Sequence, residues 1–370
     1  MGLQIIKPNT QFDFIGLKKF ALVISAVFLL AGLASLALKG GPKYGIDFAG
    51  GMIVQVKVDQ GVEVGDLKAA LDGVDLPGLV VQTFGLEGDS EYLIRTSSSE
   101  VSSQKVRTLV SDSLGANLGG ASFEIQRLEM VGPKVGADLR TKAVEALFFA
   151  VLLIAVYISG RFEQRWTVAG LIAAALGGAV YGIGIMGVEM GWLIVAALAI
   201  TVGLFWVLRL NYAMGAVVAL IHDVTITVGI FSILGKEFDL TIIAALLTII
   251  GYSLNDTIIV FDRIRENNLE REEEETFADV INRSINQTLS RTIMTSLTTL
   301  VVVACLYFLG GSVIHDFALA LLIGVAVGTY SSIFVASPIL LGFGPSAHVD
   351  DDPEEEKKEE TTRYADGAQV

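Results

Sequence analysis

Eight stretches of this chain run almost free of charge: 20–38, 143–159, 166–187, 191–208, 212–234, 240–261, 292–311 and 316–342. Each is close to the ~20 apolar residues that an α-helix needs to cross the hydrocarbon of a bilayer. A soluble core has no use for so many such blocks in succession, so the pattern predicts an α-helical membrane bundle. The first block is flanked by Lys18, Lys19 and Lys39. It is too long for a signal-peptide core and no small-residue cleavage site follows, so it reads as an uncleaved first span. With 52% hydrophobic and 18% charged residues, against roughly a quarter charged in soluble domains, the chain is neither disordered nor one soluble globule.

About a hundred residues separate the first two spans, and they carry a different pattern. Met52–Val58 alternates as a strand, Val62–Leu71 is helical, and Leu79–Phe84 and Tyr92–Thr96 are strands joined by a turn at Gly85, Gly88 and Asp89. Glu100–Leu114 is helical and Ser122–Met130 is a last strand. The order βαββαβ is that of the ferredoxin-like split motif, with two helices on one sheet face and the other face unaccounted for. The expected organisation is 1–39 as N-terminus and first span, 40–138 as the ferredoxin-like domain, 139–343 as the bundle and 344–370 as a disordered acidic tail.

Basic residues in short loops set the orientation. With the N-terminus inside, the inner loops hold Lys18, Lys19, Arg161, Arg165, Arg209, Arg263, Arg265, Arg271, Arg283 and Arg291, and the short outer loops hold little beyond Lys236. Both termini are then cytoplasmic and the soluble domain lies outside. The net charge of −14 is largely local, in the tail after Asp350 and in the run Glu272–Glu275. Both read as solvated segments, and no basic cluster of a nucleic-acid binder is present. Cys305, the single cysteine, cannot form an internal disulfide.

Ionisable side chains inside spans are costly and so are functional candidates. His222 and Asp223 lie mid-way along the fifth span, although adjacent helical residues diverge by about 100° and cannot face one pocket equally. Asp256 lies in the sixth, inside Gly251-Tyr252-Ser253-Leu254-Asn255-Asp256-Thr257, and Arg291 opens the seventh. Asp256 is about 9 Å from the inner end of its span at the helical rise, a depth that Arg291 could reach from the same side. Such a pair is either a static tie between helices or part of a proton path. Gly251, Ser253 and Asn255, with Thr288, Ser290, Thr292, Thr295, Ser296, Thr298 and Thr299 opposite, favour the path, because small polar residues allow close approach and host water. His315 with Asp316, His348 and Glu189 read as solvated. There is no Walker motif, zinc-ligand pattern or nucleophile elbow, so the chain is not read as an enzyme and no bound cofactor or metal is expected.

Several long strings resemble the SecD/SecF family, on its SecF side. Gly45-Ile46-Asp47-Phe48-Ala49-Gly50-Gly51 is similar to the segment leading into its periplasmic domain, and Val131-Gly132-Pro133-Lys134-Val135-Gly136 to the segment leading out. Ala244 to Asn267, Arg283 to Thr292 and Gly328-Thr329-Tyr330-Ser331-Ser332 resemble family strings closely. The resemblance implies a subunit of the bacterial Sec translocase accessory complex in the inner membrane, within the wider class of proton-driven RND transporters. It implies SecD as partner, the SecYEG channel as the place of action, YajC as a companion, SecA indirectly, preproteins as substrates and the proton gradient as energy source. It places Asp256 and Arg291 at positions implicated in proton conduction, with Asp223, His222 and Asn255 as further relay candidates.

The middle departs from the family, in which six spans are usual and an Arg-Phe-Glu loop, here Arg161-Phe162-Glu163, runs almost directly into the helix bearing His-Asp. Here a helical hairpin, 166–208, intervenes, and Arg161–Ala175 weakly echoes Arg209–Val224. The competing readings are half of a proton-driven small-molecule exporter, and a passive scaffold whose charges are structural.

Overall fold

The computed structural model describes residues 11–59, 61–84, 90–97, 101–186 and 188–342. The acidic tail, His348 and the turn at Gly85–Asp89 lie outside the described residues. Among the described residues, eight helices are long and apolar enough to cross a membrane. In chain order the elements are α1 (Lys18–Lys39), α2 (Ile46–Ala49), β1 (Gly51–Val58), α3 (Val64–Leu71), β2 (Val80–Phe84), β3 (Glu91–Thr96), α4 (Ser103–Asn117) and β4 (Phe123–Val131). Then follow α5 (Pro133–Glu163), α6 (Trp166–Ile185), α7 (Met190–Leu208), α8 (Asn211–Ile233), α9 (Leu240–Leu269), α10 (Phe277–Leu309), α11 (Ser312–Ser331), a π-helical turn over Ser332–Ala336, and α12 (Ser337–Leu341).

The soluble part is an antiparallel sheet of order β2-β3-β1-β4, the ferredoxin-like arrangement. Its inner face, Met52, Val54, Val56, Tyr92 and Ile94, packs on Leu67 and Leu71 of α3 and Val106, Val110 and Leu114 of α4. The lower half of the other face, Ile53 and Leu93, rests on Ile46 of α2. Its upper half is polar, with Gln55 donating to Glu91 and Gln126.

Two helices run well past their apolar blocks. Pro133 opens α5 at the first turn, where its missing N–H and fixed φ cost nothing, so Lys134, Arg140 and Lys142 ride on the same rod as the second span. A capping box between Thr276 and Asp279 starts α10 fourteen residues before Arg291–Thr292. Hydropathy is blind to both extensions because they are polar helix.

In the bundle, α8 is the hub, packed by α1, α5, α9 and α11. Gly32 of α1 and Gly229 of α8 approach so closely that a Cβ on either would lie 2.7 Å from the other's Cα. The hairpin α6–α7 packs mainly on α5 and α8, meeting α5 through Phe148, Leu152, Val180, Ile194 and Ala197. Its ends meet: Arg165 Nη1 lies 3.3 Å from the carbonyl of Leu208, and Glu163 Oε1 accepts from the backbone of Tyr212 at 2.8 Å. The two junctions share a backbone form, with Gln164 (φ 53°) after α5 and Arg209 (φ 55°) after α7 both left-handed. That repetition is offset by three residues from the sequence echo. Pro338 cannot donate to the helix ladder, and just before it the chain widens into the π turn, with Ser337 Oγ donating to the carbonyl of Ser332 at 2.7 Å.

Candidate functional site: two buried carboxylates

Two polar clusters interrupt the apolar interior. The first surrounds Asp223, which is 0% exposed. Its Oδ2 accepts from Ser253 Oγ of α9 at 2.6 Å and from Ser331 Oγ of α11 at 2.7 Å. Its Oδ1 lies 2.9 Å from His222 Nδ1, and His222 Nε2 lies 3.0 Å from Ser25 Oγ of α1. Tyr330 stacks on the imidazole, approaches Ser25 Oγ and donates to the carbonyl of Ala21 at 2.6 Å. The 100° divergence of His222 and Asp223 therefore excludes neither from the interior. Because α8 is enclosed on several sides, one side chain turns to α1 and the other to α9 and α11.

The second cluster surrounds Asp256, which is 1% exposed. Its Oδ2 accepts from Ser296 Oγ of α10 at 3.1 Å, and Thr329 Oγ1 of α11 stands 2.7 Å from that hydroxyl. Asp256 Oδ1 and Thr292 Oγ1 are buried with no hydrogen-bond partner. Thr292 and Ser296 are four residues apart, on the face of α10 that meets α9.

Arg291 does not pair with Asp256 here. It is exposed, and among the described residues its side chain makes no ion pair or hydrogen bond. Thr292 and Ser296 hold the buried stripe of α10, and the residue before that stripe points about 100° away. Asn255 is displaced from Asp256 in the same way and is also exposed. Their faces adjoin, since Tyr252 of α9 donates to the carbonyl of Thr295 at 3.0 Å. Outward on α9 stand Thr248, Gly251 and Asn255, and on α10 Gln287, Arg291 and Thr298. Elsewhere the outward faces are apolar, as with Leu22, Val23 and Leu30 of α1 or Leu171, Trp192 and Val195 of the hairpin.

Ser25, Tyr330 and Ser331 were not singled out by residue chemistry. A serine inside the otherwise apolar first block was the available signal for Ser25. His315, expected to be solvated, is half-buried, 4.2 Å from Tyr307 ring to ring and 3.0 Å from Asp316. Glu189 is exposed, as read.

The family model described as protein export membrane protein SecD/SecF, C-terminal, matches residues 110–197 and 178–345. The SecD/SecF GG motif matches 36–62. A SecF protein translocase subunit of Desulfurispirillum indicum is 40% identical over 337 residues, 90% of this chain and 91% of that protein. One of Magnetococcus marinus is 40% identical over 348 residues, 93% and 96%. The chain belongs to the SecF family. The crystal structure of the translocon-associated membrane protein SecDF from Thermus thermophilus matches with a TM-score of 0.65 at 33% identity. That match covers 90% of this chain and 39% of SecDF, so the chain spans about two-fifths of that protein's length. The eight apolar helices among the described residues make the chain a multi-pass membrane protein.

Proposed function

We propose that this chain is the SecF-like half of a SecD–SecF pair that uses the proton gradient to assist preprotein movement through SecYEG in the bacterial inner membrane. SecA acts before it and YajC beside it, both termini are cytoplasmic, and the sheet domain faces outward. The carrying observation is the polar outward stripe of α9 and α10 beside a buried, half-satisfied carboxylate. A stripe of threonine, glycine, asparagine and arginine is costly against lipid and suits a second helix bundle. Several relatives of similar length are SecF subunits, and the chain matches 39% of the longer SecDF chain. These observations favour a paired half-transporter over a scaffold. The single sheet domain of about eighty residues favours the Sec reading over a small-molecule exporter, which needs larger outer domains.

In this reading Asp256 carries the proton. Its Oδ1 is buried without a hydrogen-bond partner, and Ser296 and Thr329 form a hydroxyl chain behind Oδ2. Arg291 waits about 7.5 Å along α10 from Ser296 at the helical rise, and a turn of α10 about its axis would bring its charge toward the carboxylate. The membrane potential supplies about 2.3 kcal/mol per charge per 100 mV, enough to bias a two-state element whose gap is a few kcal/mol. Asp256→Asn should assemble with SecD and lose the gradient-dependent part of export into vesicles. If that variant answers an imposed gradient as the unmodified protein does, Asp256 is not the carrier.

A further inference from the structure

The sheet domain is joined to the bundle at two places, and the six-residue loop between α8 and α9 makes the second. The first is covalent. β1 and β4 enter side by side at Gly51 and Val131, and here the backbones nearly touch. Gly50 (φ +75°) and Gly51 (φ +118°) leave no room for a side chain, since a Cβ would lie 2.8 Å from Pro133 Cα or 2.6 Å from the carbonyl oxygen of Thr96. Both connectors lie on the β1–β4 side of the sheet, so by themselves they tether it along one flank.

The loop supplies the rest through its last four residues, Lys236 to Asp239. Lys236 pairs with Asp316 of α11 at 2.7 Å. Glu237 receives both terminal nitrogens of Arg95, on β3, and Lys43 at 3.0 Å. Phe238 is buried with Phe48, Phe231 and Ile242. Asp239 caps α9, accepting from Ile242 at 2.8 Å, and its carboxyl is pushed above the usual range by burial, with Asp47 nearby adding to the effect. Asp47 itself accepts from the backbone of Leu240 at 3.0 Å. Backbone bonds from Gly45 to Phe238 and from Phe238 to Lys43, both 2.8 Å, hold the base of the domain to this loop.

The base is thus welded to the start of α9, the helix that carries Ser253 and Asp256. The sheet above it reaches the same point through Arg95. That side chain sits across from Ile53 of β1 and Val80 of β2 in the middle of the sheet, and Arg95 and Glu237 are only 18% and 17% exposed. A two-pronged arginine–carboxylate pair is directional as well as strong. A small apolar contact, Ile46 with Ile53 and Leu93, lies beside it but has no such directionality.

We infer that Arg95 and Glu237 are positioning residues for energy coupling: their ion pair fixes the tilt of the sheet on its flank tether and transmits load on the sheet to the N-terminus of α9. This rests on the proposed proton site in α9, and the test separates the two. In a Cys305→Ala background, spin labels at Lys57 on the sheet and Val313 at the same end of the bundle report the tilt in the full chain with SecD in bilayers. One narrow distance is expected for the parent, and a broadened one for Glu237→Gln, Arg95→Gln and the double variant alike. Gradient-stimulated export should fall at least ~3-fold in each single variant and no further in the double, the non-additivity of residues acting as one pair. Unchanged distances in both single variants would overturn the inference, and so would broadened distances with undiminished export. Asp256→Asn is run alongside. If it keeps the gradient response, the proton-site reading fails while the distance measurement still decides whether the ion pair holds the sheet.

Discussion

Asp223 and Asp256 are buried alike in the same bundle, 0% and 1% exposed, but their surroundings differ. Asp223 takes two serine hydroxyls on one oxygen and an imidazole on the other, with the imidazole itself held by Ser25. Asp256 takes one hydroxyl and leaves Oδ1 bare beside the unpartnered Thr292 hydroxyl. A satisfied buried network rigidifies, while a partly satisfied one has a reason to rearrange. The Asp223 cluster draws on α1, α8, α9 and α11 and reads as the knot that holds four helices. The Asp256 cluster lies where α9 and α10 meet, beside their polar outward stripe, and reads as the part that moves.

The largest expected effect separates these roles by stability. Asp223→Ala removes the carboxylate partner of His222 and Ser253 and one of the two acceptors of Ser331. Interhelical hydrogen bonds in membranes are worth roughly 0.6–1.7 kcal/mol each, so the loss should reach about 2–3 kcal/mol. Asp256→Ala removes one such bond and also a bare buried oxygen, and should cost under ~1 kcal/mol. Denaturation in detergent of the two variants decides it, and the reverse ranking would break the comparison.

A second effect, on coupling alone, is expected at Arg291. Arg291→Met should assemble with SecD and lose the gradient response. Arg291→Lys should keep part of it, because the charge remains and the planar fork is lost. Undiminished responses from both variants in vesicle export would leave the outward arginine with no part in the Asp256 site.

A smaller effect is expected from the hairpin. Neither cluster takes a residue from α6 or α7, and Arg165 already touches Leu208. Deleting 166–208 and joining Arg165 to Arg209 should leave the gradient response within about twofold, as distant independent sites do not couple. A complete loss would mean that one of the two clusters depends on the hairpin.

Hydropathy made the eight helices legible, and alternation with turn residues made the sheet order legible, because both follow from repeating local patterns. What escaped was the direction of single side chains. Arg291 and Asn255 each stand one residue from a buried position, and nothing in a one-dimensional string says which residue of a polar run faces the neighbouring helix. The partners of Asp223 escaped for a different reason: Ser25 and Ser331 come from the first and last spans, and only the packing of α8 among them brings the three together. Glu237 was hidden by its exposed-loop context, since its value depends on Arg95, 142 positions away.

The smallest effect calibrates the comparison with a carboxylate in water. Asp59, just past the end of β1, accepts from the Ser122 hydroxyl at 2.7 Å and from the Ser122 backbone at 2.8 Å, closing β1 against the start of β4. Those bonds, the hydroxyl first, hold its carboxyl below the usual range. A folded-state pKa below the unfolded value of ~3.9 means that the unfolded chain binds the proton more readily. Its stabilising contribution is then complete above the unfolded pKa and disappears as pH falls through the lower folded value. Asp59→Asn keeps an oxygen acceptor and loses the charge. The gap in unfolding temperature between it and the parent should be small at pH 6 and close by about pH 2 to 3, as the parent's carboxyl becomes neutral. A gap of the same size at both pH values would show that shape, not charge, sets this contact.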